Sequence, residues 1–187
     1  MDLGIIEERR KGLRRHIGEH GSATGRQDSH HGSYYTGNKP VTCQALWVFS
    51  AHRKATMVKT DIRIIYGDTD QMGVVYYGNY LRFFEAARNE WLRAKGARWR
   101  EVEAEHSIYL PVAEAKVNYK RPAFYDDVIE VETRLGDLGR ASLRFDYRIL
   151  RGADLLALGH TIHACVSRDG NMREFPEALH ERLRAGR

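Results

Sequence analysis

Between residues 57 and 187 only one stretch carries a sustained helical period, and everything around it has the period of a strand. In residues 79–96, NYLRFFEAARNEWLRAKG, the side chains Tyr80, Phe84, Ala87, Trp91 and Ala94 recur at spacings of four, three, four and three, which places them on one helical face. Arg82, Arg88, Asn89 and Arg93 fall mostly elsewhere. Asn79 can cap the start, and Gly96 can take the left-handed conformation that ends a helix. So many large aromatics on one helix imply that most of its surface is covered.

The remainder alternates with period two. Ile62, Ile64 and Tyr66 alternate with Arg63 and Ile65 in a first strand. Residues 107–120 alternate from Pro111 onward, with Val112, Ala113, Ala115, Val117 and Tyr119 expected to face apolar surroundings. Residues 127–135, 140–150 and 155–167 follow, punctuated by Gly136, Gly139, Gly152 and the Asp169-Gly170 pair as turns. Strand, long helix, then four strands predicts an α+β domain: a five-stranded antiparallel sheet wrapped around one central helix.

Residues 1–56 have a different character. They are rich in Gly, Ser, His and charge, with a short helical segment over residues 3–17 and a linker-like run over residues 18–40. They carry nine Lys and Arg against five Asp and Glu, whereas residues 57–187 carry 21 against 20. The basic character of the chain therefore resides in this segment, which reads as a disordered or artefactual extension ahead of a domain spanning residues 57–187. The apolar run of residues 45–51 is too short and too far from residue 1 for a secretory signal, and no run reaches the roughly 18–20 apolar residues of a membrane span. The expectation is a cytoplasmic protein. Cys43 and Cys165 fit no metal spacing, and Cys165 is expected to be a small buried residue. His160 and His163, three apart on a strand, would point to opposite faces and cannot chelate one metal together.

The chemistry is expected in YGDTDQMGVVYYGNY, residues 66–80, between the first strand and the helix. A loop held by a rigid scaffold can carry reactive groups. Asp68 and Asp70 supply carboxylates, and Gly73 precedes a helix start with its unpaired N–H groups and positive dipole end. Amides that polarise a carbonyl, next to a carboxylate that attacks or activates water, suit acyl transfer.

This segment, continued as LRFFEAAR, is similar to the signature of the 4-hydroxybenzoyl-CoA thioesterase family, whose acyl-CoA thioesterases include those associated with the Tol–Pal envelope system. The likeness runs on through LPVAEAKVNYKRPAFYDDVIEVET and covers about residues 59–176. It implies a hot-dog fold and hydrolysis of a short-chain or aromatic acyl-CoA to free acid and CoA, without metal or bound cofactor. By the same resemblance Asp70 is the catalytic carboxylate, as nucleophile or general base. The amide of Tyr77 polarises the thioester carbonyl, Gly73 allows close backbone approach, and Asp68 shapes the loop. Asn79, Arg140 and Ser142 fall at substrate-binding positions, the last two against the CoA phosphates. Tyr76, Tyr77 and Phe83 line the acyl pocket. Glu85 is expected in packing or an interface. Tol–Pal members often carry His where Tyr77 stands. Active sites in this family form between protomers, which implies a homodimer or homotetramer.

A non-catalytic module is the rival reading. Arg9, Arg10, Lys11, Arg14 and Arg15 could touch phosphates of a nucleic acid or an acidic partner, but the arm lacks interleaved aromatics and the domain behind it is nearly neutral.

Overall fold

The computed structural model describes residues 56–185. The helical segment over residues 3–17, the linker-like run, the apolar run of residues 45–51, Cys43 and the basic cluster lie outside the described residues. The elements are β1 (Val58–Arg63), α1 (Asn79–Ala94), α2 (Trp99–His106), β2 (Ile108–Tyr109), β3 (Val112–Tyr119), β4 (Val128–Leu138), β5 (Ser142–Arg151), β6 (Asp154–Ala164), β7 (Val166–Ser167) and α3 (Glu177–Ala185). Five strands form one antiparallel sheet in the order β1-β4-β5-β6-β3.

Alternation decides the two faces of this sheet. Ile129, Val131 and Leu135 of β4 and Leu143, Phe145, Tyr147 and Ile149 of β5 are buried beneath α1. Their neighbours on the outer face are charged and pair across strands: Lys59 with Glu130, Arg148 with Glu132, and Arg134 and Arg144 with Asp146. An antiparallel sheet with one packed and one solvated face reads this way.

The helix α1 supplies the other half of the core through Tyr80, Phe83, Phe84, Ala87, Trp91 and Leu92. Phe84 stacks on Tyr147 with centroids 4.2 Å apart, and Trp91 meets Phe145 edge-on at 5.3 Å. The helix stops where expected. Gly96 has φ 68°, and the Gly96 and Ala97 amides bond back to the carbonyls of Arg93 and Leu92. This is the Schellman arrangement, with Ala97 and Leu92 both buried as its hydrophobic contact.

Polar groups also enter the core, and those of β5 and β6 are linked by hydrogen bonds, whereas the buried Thr133 hydroxyl on β4 makes none among the described residues. The Tyr147 hydroxyl shares a 2.8 Å hydrogen bond with Thr161 Oγ1, which lies 2.9 Å from His163 Nε2. His163 Nδ1 lies 3.1 Å from the carbonyl oxygen of Leu110. Burial, and then the nearby Arg88 charge, lower the His163 pKa to about 4. His160, one face away, pairs with Glu114 on β3. The two histidines do point to opposite faces, and Cys165 is fully buried.

Several expectations need correction. The first strand ends at Arg63, and Tyr66 lies exposed in a short 3₁₀ turn, Tyr66–Asp68. Ala94 is exposed, its place in the buried face taken by Leu92 and Phe83. Asn79 forms no cap: Gly78 occupies the N-cap position and makes no side-chain capping bond, and the first helical amides bond back to the Tyr76, Tyr77 and Gly78 carbonyls instead. The strand β3 alternates in sequence yet is exposed along nearly its whole length, because it is a sheet edge. The helices α2 and α3 add to the single helix expected, burying Val102 and the pair Leu179 and Leu183 respectively. No helix among the described residues is long and apolar enough to cross a membrane.

Candidate active site

The loop between β1 and α1 is folded by its own backbone. Thr69 bridges Val75, Val74 bridges Phe124, and the Val75 amide bonds the Ala123 carbonyl. The loop is thereby fastened to the segment leading into β4. At its tip the Asp70 amide bonds the Val74 carbonyl and the Gly73 amide bonds the Asp70 carbonyl. Gly73 closes this turn with φ 76°, a left-handed conformation that favours glycine. A Cβ at this position would meet nothing within 4 Å, so the backbone conformation and not crowding is what favours glycine here.

Asp70 is half-buried, with Oδ1 accepting a 2.8 Å hydrogen bond from the Met72 amide. Oδ2 takes no hydrogen bond among the described residues. Asp68 is treated differently. It is buried, its Oδ2 accepts from the Ile65 amide at 3.1 Å, and its Oδ1 accepts from the Arg82 guanidinium. Its carbonyl accepts from the Tyr76 amide and from Asn79 Nδ2, both at 2.9 Å. The Asn79 side chain therefore ties the loop to the helix.

Just ahead of the helix the Tyr77 and Gly78 amides have no acceptor among the described residues, while the Asn79, Tyr80 and Leu81 amides bond back to the carbonyls of Tyr76, Tyr77 and Gly78. The Tyr77 carbonyl is held by the Tyr119 hydroxyl at 2.9 Å, so the edge strand β3 supports the same turn. The rings of Tyr76 and Tyr77 lie 4.4 Å apart and both are exposed. Phe83 does not join them in a pocket wall. It is core, 2 % exposed.

Arg140 and Ser142 lie elsewhere. They sit at the β4–β5 turn, with Arg140 exposed and paired with Glu174. The Asp70 loop bonds to the opposite end of β4. Eleven residues of strand at about 3.3 Å each separate the two ends by roughly 33 Å. One protomer does not bring Asp70 and Arg140 together. A cavity of about 410 Å³ opens between α1 and α2, lined by Glu85, Arg88, Trp99, Arg100 and His163 among others, and neither Asp70 nor Tyr77 borders it. The aromatic pattern of residues 79–96 gave no signal for this cavity, since its walls come from helices and strands distant in sequence.

Comparison with known proteins bears on the family and the fold. The family model described as the thioesterase-like superfamily matches residues 65–183. A crystal structure of a hypothetical protein from Thermus thermophilus is 36 % identical, with TM-score 0.67, covering 71 % of this chain and 98 % of its own. The acyl-CoA thioester hydrolase YbgC of Escherichia coli O6:H1 is 35 % identical over 112 residues, 59 % of this chain and 83 % of the relative. The structure of a 4-hydroxybenzoyl CoA thioesterase mutant complexed with 4-hydroxybenzoyl CoA is 26 % identical, with TM-score 0.62, covering 68 % and 98 %. The chain belongs to the thioesterase-like superfamily and has the hot-dog fold.

Proposed function

We propose that this enzyme hydrolyses acyl-CoA thioesters, with Asp70 as the catalytic carboxylate and the Tyr77 amide as oxyanion donor. One observation carries the reading: a half-buried aspartate with a free carboxylate oxygen stands on a loop that leads into a helix, and just ahead of that helix the Tyr77 and Gly78 amides lack acceptors among the described residues. Asp70 and Tyr77 belong to the two arms of one short hairpin, within about 10 Å by strand rise, an interval that a carboxylate and a thioester carbonyl can fill.

The carbonyl oxygen accepts from the Tyr77 N–H, which stabilises the negative charge that develops on it. Asp70 either attacks the carbonyl carbon, giving an enzyme-bound mixed anhydride as the C–S bond breaks and CoA leaves as thiolate, or takes a proton from a water that attacks the same carbon, the C–S bond then breaking to give the free acid as that proton passes to the departing CoA thiolate. In the first course water then hydrolyses the anhydride to the free acid and restores Asp70. Neither course uses a cofactor. The named relatives act on acyl-CoA and on 4-hydroxybenzoyl CoA, and exposed Tyr76 and Tyr77 would suit short-chain or aromatic acyl groups.

Two further parts belong to this proposal. The exposed edge β3 pairs with a second copy, which covers its free backbone groups. Arg140 and Ser142, remote from Asp70 in one protomer, meet the CoA phosphates of the partner's site. Arg140 offers the planar fork that phosphate recognition favours, in exchange for its contact with Glu174. A cytoplasmic location goes with this reading.

The variant Asp70→Asn keeps the size and loses the charge. Its turnover of an acyl-CoA panel should fall about 10²- to 10⁴-fold, with unchanged circular dichroism and melting temperature. Wild-type turnover in that variant would remove Asp70 from the mechanism.

A further inference from the structure

Two aspartates two positions apart, Asp68 and Asp70, stand at a site where a third negative charge, the oxyanion, must form. Left uncompensated, three like charges in so small a space would oppose the reaction. The structure separates the two carboxylates. Asp70 is half-buried and meets no cationic side chain among the described residues. Asp68 is 3 % exposed and paired with Arg82, from the first turn of α1. The Arg82 side chain is 58 % exposed, so it closes the Asp68 site from the solvent side.

The position of Asp68 makes its charge matter. Its carbonyl receives the Tyr76 amide and the Asn79 side chain, the residues that flank Tyr77 and Gly78. Any free charge on Asp68 is therefore felt beside the two unbonded amides. Any slackening of Asp68 also moves the peptide that carries the Tyr77 N–H.

We propose that Arg82 is a positioning residue for hydrolysis: by pairing with the buried Asp68 carboxylate it cancels that charge next to the oxyanion amides and pins the loop to α1, leaving Asp70 as the one uncompensated acid of the pair. This rests on the assignment of Asp70 and Tyr77 above. The effect has a sign that simple tethering lacks. Losing Arg82 alone strands a buried negative charge beside the developing one. Losing both partners removes the charge together with its counter-charge.

The test is a double-mutant cycle on the full chain, read as kcat and KM on the acyl-CoA thioesters that the wild type turns over, with Asp70→Asn as control. Arg82→Gln should lower kcat by about 10-fold or more while KM moves less than about threefold, since the charge opposes the transition state and not the bound substrate. The double variant Arg82→Gln, Asp68→Asn should recover at least about threefold of the lost kcat. Arg82→Lys, which retains the charge and guards against a folding defect, should stay within about fivefold of wild type. Full activity in Arg82→Gln, or a double variant no better than the single, overturns the proposal. Should the wild type hydrolyse no thioester, or Asp70→Asn remain fully active, the underlying reading fails instead, and the role of Arg82 falls with it.

Discussion

At the scale of single residues, neighbours of the same type are put to different uses by burial. Asp68 is a buried structural hub and Asp70 a half-buried acid with a free oxygen, a division that turn propensity by itself does not make between two aspartates. The histidines of β6 divide likewise. His160 faces outward and pairs with Glu114, while His163 is buried with its pKa lowered to about 4. A histidine depressed from 6.5 binds its proton less readily when folded than when unfolded. Its contribution to stability is therefore full above about pH 6.5 and is lost as pH falls toward 4, by up to about 3 kcal/mol. Urea midpoints should decline over that window, and His163→Leu should flatten the decline. An unchanged slope in the variant would assign the acid sensitivity to other groups.

At the scale of elements, α1 and the strands beneath it fit through a single missing side chain. A Cβ at Gly159 would stand 2.5 Å from both the Lys116 carbonyl oxygen and the Phe84 ring. The first of these is backbone of β3 and cannot swing aside, and Phe84 is itself pinned by its stack on Tyr147. Gly159→Ala should cost about 1–3 kcal/mol of overpacking, measurable as a lower urea midpoint with an unchanged denaturant slope. A neutral result would mean that α1 shifts as a unit without loss. The aromatic period of α1 was legible because a helix buried on one face must repeat at 3.6 residues. The burial of Leu92 in place of Ala94 was not, because the α2 connection that follows Gly96 decides which residue of the last turn is covered.

At the scale of the whole molecule, β3 is an eight-residue edge strand with Val112 and Tyr119 exposed. Such edges invite pairing. Light scattering should give about twice the 21.6 kDa of one chain, or a multiple of that dimer. Removing residues 1–55 should preserve both this assembly and the hydrolysis. That boundary keeps Thr56, whose carbonyl accepts the Trp91 indole N–H at 3.0 Å. A monomer with full activity would refute the proposed pairing through β3. Loss of soluble protein in the shortened chain would give residues 1–55 a structural task.

The amino-acid order alone determined the strand–helix–strand plan, the aromatic face of α1, its stop at Gly96 and the loop in which an acid precedes a helix start. All of these follow from local periodicity and backbone preference, which need no distant contact. The tertiary structure decided which aspartate is buried and paired, that β3 is an edge, that Phe83 is core and that Arg140 lies at the far end of β4 from Asp70. Those outcomes depend on which segments, remote in sequence, come to lie side by side and exclude water from one another, and no short stretch of the chain carries that information.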